Sequence, residues 1–214
     1  MVRAWMDSCG GGTGTDLRPA YDDVLDVFRA LLGGVPVDED WYMAEYPAIS
    51  ESIARKTVES AAAHYRNHGH FEGRHPFAPG WRHLESPVPF CETQTRLAIA
   101  PARGRLFAHV EREVFVSLIK NIIRAVAVDA EWYCRAYPAA SEMIGSGRFA
   151  SASDHYVQVG YFEGKLPFEI TVDEDWYISR YKHVRNGIAL GRATSAKDHF
   201  LRIGYGEGCR PVPR

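Results

Sequence analysis

Apolar positions along this chain follow two rhythms. Val114, Phe115, Leu118, Ile119, Ile122, Ile123 and Val126 recur at helical spacing, with Lys120, Asn121 and Arg124 opposite them. This predicts a long amphipathic helix from Glu111 to Ala127. Tyr21, Val24, Leu25, Phe28, Leu31 and Leu32 repeat the pattern from about Pro19 to Leu32. Apolar and polar residues alternate instead along Thr95–Ala100 and Arg105–Val110, on either side of a Pro-Ala-Arg-Gly tetrapeptide, which predicts a β-hairpin. A lone hairpin is marginal, so this one is expected to pack on the helices or to pair with another chain. Pro79, Gly80, Pro87 and Pro89 predict an irregular loop over Phe77–Phe90. Ser8–Thr15 is glycine-rich and predicts a mobile segment, without the Lys-Ser/Thr of a phosphate-binding loop.

The rest of the chain is written three times. Residues 37–77, 128–168 and 172–212 align without gaps over 41 positions, at offsets of 91 and 44. Thirteen positions are identical in all three copies, and the first two copies share 20. Such periodicity marks a repeat architecture, whose small units are expected to bury their apolar faces by stacking. The first two copies each follow a long amphipathic helix and the third does not, which points to an older duplication of helix plus repeat.

Each copy reads as two or three short helices closed by a turn. Asp38, Asp129 and Asp173 are N-cap candidates ahead of the aromatic pairs Trp41-Tyr42, Trp132-Tyr133 and Trp176-Tyr177. Tyr42, Tyr46, Ile49 and Ile53 predict a buried stripe, and Pro47 and Pro138 the first turn of a second helix. Ser60, Ser151 and Ser195 begin the next helix, and Asp154 and Asp198 complete a capping-box signal in the later copies. That helix is predicted to stop at Gly69, Gly160 and Gly204, read as C-terminal residues with positive φ. The Glu-Gly pairs Glu72-Gly73, Glu163-Gly164 and Glu207-Gly208 predict tight turns.

Composition narrows the function classes. The 214 residues are 46% hydrophobic and 24% charged, ordinary for a globular chain. Twenty-five Lys and Arg against 27 Asp and Glu give a formal charge of −2, without a basic footprint for nucleic acid. The longest apolar run is broken by Ser117, Lys120, Asn121 and Arg124, so no transmembrane segment is expected. The residues from Met1 to Gly12 hold no apolar signal core, and a cytoplasmic location is expected. Cys9, Cys91, Cys134 and Cys209 lie far apart and are expected as reduced thiols.

Histidine is the tempting chemistry. His64 and His68 stand four apart, as zinc ligands on a helix often do, but position 68 is Val159 and Ile203 in the other copies. Only His64 recurs, as His155 and His199, together with Glu72, Glu163 and Glu207. A His/Glu pair could serve acid–base catalysis. A catalytic site is usually built once, whereas a structural device is copied with every repeat. These residues are therefore expected to be structural, the Glu binding backbone N–H groups or the His. No catalytic residue, metal or cofactor is expected. Arg74, Lys165 and Arg210, after the Glu-Gly turns, are exposed charges available for interaction.

The Trp41-Tyr42…Tyr46-Pro47…His64-Tyr65…Gly69…Glu72-Gly73-Arg74 series and its copies resemble a short bacterial helical repeat. That repeat occurs beside glycosyltransferase and surface-polysaccharide biosynthesis domains and in some large secreted proteins. The resemblance covers the three repeats and implies a non-catalytic accessory or scaffold protein that docks on a protein partner, a component of such machinery, or on itself. A glycan-binding module using the repeat aromatics is the alternative, and an enzyme with His/Glu chemistry the third reading. The expected class is mainly α: three 41-residue helical units, two longer amphipathic helices and one small hairpin. Its divisions are a flexible N-terminus (1–16), helix plus repeat 1 (17–77), a loop and hairpin insertion (78–110), helix plus repeat 2 (111–168) and repeat 3 (169–214).

Overall fold

A computed structural model describes residues 2–10, 15–204, 209, 211 and 212. The described chain is mainly helical with one small antiparallel sheet. It divides into two compact units, Val2–Pro167 and Phe168–Arg214. The first contains α1 (Val2–Ser8), β1 (Asp16–Leu17), α2 (Tyr21–Leu32), α3 (Glu39–Glu45), α4 (Pro47–Ala54), α5 (Ala61–His64) and α6 (Phe90–Thr93). There follow β2 (Ala98–Ala102), β3 (Arg105–Glu111), α7 (Arg112–Ile123), α8 (Ala130–Ala136), α9 (Pro138–Gly145) and α10 (Ala152–His155). The second unit contains α11 (Glu174–Arg180), α12 (Lys182–Ala189) and α13 (Ala196–His199). No helix among the described residues is long and apolar enough to cross a membrane.

The core of the first unit is the meeting of α2 and α7. Val24, Phe28 and Leu32 on one helix and Phe115, Ile119 and Ile123 on the other are all but inaccessible, and Phe28 stacks on Phe115 with centroids 5.9 Å apart. These helices begin and end 91 residues apart, the offset of the first two repeats. The strand pairing in front of them obeys the same offset. Asp16 pairs with Glu111 and Ala20 with Phe107, antiparallel. Adding 91 to 16 and 20 gives 107 and 111, so each pairing is the other with the copies exchanged. The two halves thus meet as subunits do at an isologous two-fold interface, within one chain.

The N-terminal residues depart from the expected flexible segment. Helix α1 buries Met6, and Trp5 packs on Phe115 at 5.5 Å. Of the glycine-rich stretch, residues 11–14 lie outside the described residues.

The hairpin forms, three residues later than the alternation predicts: Gln94–Arg96 is a 3-10 turn and β2 starts at Ala98. Arg103 and Gly104 have φ of 50° and 76°, the paired left-handed conformation of a two-residue hairpin turn. Ala102 and Arg105 close that turn, so Ile99 and Pro101 present their main chain to the outer edge. Pro101 offers no donor there, which blunts the edge against strand addition.

Local signals set the repeat helices. Asp38, Asp129 and Asp173 accept from the N–H of Trp41, Trp132 and Trp176 at 3.2, 2.9 and 2.9 Å. Ser60, Ser151 and Ser195 cap the third helix in the same way at 3.0–3.1 Å. Asp154 and Asp198 reach back one residue beyond the cap, to the N–H of Ala150 and Thr194. Tyr46, Tyr137 and Tyr181 leave helical geometry between the first two helices of each copy, so the predicted stripe is split. Tyr42 and Ile49 of that stripe are buried, while Tyr46 and Ile53 are half-buried.

Candidate functional site

Each repeat is built around one buried hydrogen bond. The hydroxyl of Tyr42 shares a proton with His64 Nδ1 at 3.0 Å, Tyr133 with His155 at 2.9 Å and Tyr177 with His199 at 3.1 Å. The tyrosines sit on the first helix of each copy and the histidines at the end of the third, 22 residues on. Tyr46, Tyr137 and Tyr181 stand against the three tyrosine rings, centroids 4.7–4.9 Å apart.

The invariant glycine completes this node, for a different reason from the predicted one. Gly69, Gly160 and Gly204 do not have positive φ; Gly160 is helical at −58°, −44°. Each ends a single π-helical turn, Tyr65–Gly69, Tyr156–Gly160 or Phe200–Gly204, that continues the third helix. A Cβ at any of the three would collide with the hydroxyl of Tyr42, Tyr133 or Tyr177. Glycine is required because a hydroxyl occupies the space of a side chain. The positive φ falls instead on Gly73 and Gly164 in the Glu-Gly turns, at 88° and 77°.

A clasp closes the unit beyond the node. The N–H of Asp38, Asp129 and Asp173 donates to the carbonyl of Pro76, Pro167 and Pro211 at 2.9–3.0 Å, tying the end of each copy to its start. Tyr46 and Tyr137 accept from the N–H of His75 and Leu166. Arg74 and Lys165 lie over those two tyrosine rings and are held there by Glu72 and Glu163. Lys165 keeps the Glu163 carboxyl below its ordinary range. The predicted role of the glutamates is thereby corrected: their partner is the cation two residues on. Arg74 and Lys165 are engaged in the clasp rather than projecting as exposed charges. Glu207, Gly208 and Arg210 lie outside the described residues; Cys209 takes the register of Arg74 and Lys165, its N–H donating to Gly204.

Burial pushes the imidazoles of His64 and His155 down and the phenols of Tyr42 and Tyr133 up. At neutral pH these two pairs are therefore neutral phenols bonded to neutral imidazoles, in which burial weakens the phenol as an acid and the imidazole as a base. The outer side of the histidine varies: His68 stands beside His64, Phe149 beside His155 and His183 beside His199. His155 Nε2 is buried without a hydrogen-bond partner. Among the described residues no three His, Cys, Asp or Glu gather closely enough to hold a metal ion.

Trp41, Trp132 and Trp176 are half-buried, each edge-on to the second tyrosine of its copy at 5.8–6.2 Å. An open cleft of about 490 Å³ runs along α7 between Arg112, Lys120 and Arg124, where Arg112 pairs with Asp7 and Lys120 donates to Gln158. Missed by the sequence reading are the contacts of the long helices with their own repeats. Arg29 lies over Phe71 at 5.4 Å and Lys120 over Phe162 at 5.9 Å. Both pairs obey the 91-residue offset, so extending the alignment upstream of Val37 would have revealed them. Comparison of the chain with protein-family models, with curated proteins and with solved structures gave no match.

Proposed function

We propose that this chain is a non-catalytic helical-repeat accessory protein that docks on a protein partner, a cytoplasmic component of bacterial polysaccharide-biosynthesis machinery. The observation that supports the non-catalytic part is the threefold recurrence of one buried Tyr–His pair at 2.9–3.1 Å, locked by a glycine and a backbone clasp. A device that closes a small unit on itself is needed in every copy. It also leaves the outer faces free to differ, as a docking protein requires. The choice of partner rests on the resemblance of the repeat motif to those found beside glycosyltransferase domains.

The test is purification of the tagged full chain from its native host, with co-eluting proteins identified by mass spectrometry. Glycosyltransferase or polysaccharide-export components in stoichiometric amount are the expected result. Recovery of the chain alone would overturn the docking reading and favour a glycan or self-association role.

A further inference from the structure

The third repeat lacks an element that the other two possess. In the first two copies the π-helical turn packs against the long helix that precedes the repeat, α2 or α7. Val157, in the second turn, is only 5% exposed, and its neighbour Gln158 accepts from Lys120 of α7 at 2.7 Å. In the first turn the stem of Arg66 runs past Gly33 at the end of α2. Three residues join Phe168 to Val172, too few for a helix before the third repeat.

The third turn nevertheless carries the residues of a covered face. Leu201 holds the position of Val157 and Ile203 that of Val159, and they are 39% and 43% exposed. Neither belongs to the buried cluster of this repeat, which is Tyr177, Val184, Ala196 and Phe200. Arg202 replaces Gln158, and its side chain is 61% exposed with Asp198 at 3.3 Å. A second copy of the chain is a poor source of the missing helix, because the apolar faces of α2 and α7 are already buried against one another.

We infer that the Leu201–Ile203 face of the third repeat is the docking site for one amphipathic helix of another protein, seated as α7 is seated on the second repeat. Arg202 where α7 finds Gln158 selects a helix with a carboxylate in place of the amine of Lys120. This rests on the docking reading above and supplies it with a surface and a partner chemistry.

The probe is a synthetic peptide of residues 111–127 carrying Lys120→Glu, titrated calorimetrically into the full chain. Saturable one-to-one binding is expected, weakened at least tenfold by Leu201→Asp in a chain whose circular dichroism and unfolding midpoint are unchanged. Arg202→Glu should reverse the preference, so that the peptide with native Lys120 binds several-fold better than its Glu variant. Absence of binding overturns the inference, as does binding insensitive to Leu201→Asp, which would mean displacement of α7 within the first unit. The two readings fail separately. Leu201→Asp chains that recover the same stoichiometric partner from the host leave the docking reading standing and remove this face from it.

Discussion

The second and third repeats have the same interior and different exteriors. Both hold a Tyr–His bond, a glycine under the phenol, two side-chain caps and a main-chain tie from start to end. In the second copy the π-helical turn is roofed by α7, so Val157 is buried; in the third, the same position is Leu201 and open to solvent. Polar networks within forty residues therefore define the unit, while the apolar surface of the unit is settled by what lies beside it. Neighbouring repeats are expected to stack on one another; in the first unit the π-helical turns of repeats 1 and 2 pack instead against α2 and α7. The third repeat has a small cluster of its own, distinct from the core of the first unit.

The largest effect that would break this comparison comes from placing one charge at the shared position. Val157→Asp should cost about 3 kcal/mol or more, because a buried carboxylate loses its hydration. Leu201→Asp should change stability by no more than about 0.5 kcal/mol, as surface substitutions do. Equal shifts in urea midpoint would show that the two turns have the same surroundings after all.

A somewhat smaller effect tests the shared interior. Gly160→Ala drives a methyl group into the Tyr133 hydroxyl and should cost about 2 kcal/mol, in the range of overpacking. Tyr133→Phe alone should cost about 1–2 kcal/mol through loss of the bond to His155. Combined, the two should cost less than their sum, since removing the hydroxyl makes room for the methyl. Strict additivity in that double-mutant cycle would refute the steric account of the glycine.

A change of pH, whose effect is spread over more than two units, separates the first copy from the others. His70 is 1% exposed and 3.3 Å from the Tyr65 hydroxyl, and burial pushes its pKa from 6.5 down to about 4. Between those values the unfolded chain binds a proton that the folded chain refuses, so stability is full above pH 6.5 and falls as pH drops toward 4. The whole shift corresponds to a loss on the order of 3 kcal/mol below that window. His70→Tyr, which installs the residue of the second and third copies, should flatten the decline without abolishing it, because His64 and His155 are lowered too. Urea unfolding at pH 7, 5.5 and 4 measures the difference; parallel declines in both chains would remove His70 as a source.

Much of the candidate site was legible because its signals are local or copied. An Asp three residues before a Trp N–H, or a Ser three before an Ala or Asp N–H, makes its bond within one helical turn, and sequence spacing alone places it. The threefold recurrence of His64 marks it as structural, but the sequence points to Glu72 as its companion; the partner is Tyr42, 22 residues upstream, and only the fold brings the two together. The glycine was misread for the opposite reason. Positive φ is a local property and the usual cause of a glycine after a helix, whereas Gly69 answers to a hydroxyl that arrives from 27 residues upstream.

The repeat, its short helices, their caps and the mainly helical class can be read along the chain, since hydrogen bonds over three or four residues and a hydrophobic period need no knowledge of distant segments. That the first two modules face each other through an exchanged pairing of Asp16 with Glu111 and Ala20 with Phe107 emerges from the three-dimensional fold. It alone put a cation over a tyrosine in the first two clasps, buried Val157 and left Leu201 open. Those outcomes depend on which surfaces meet. Surfaces meet according to the burial available across the whole fold, which no window of the sequence contains.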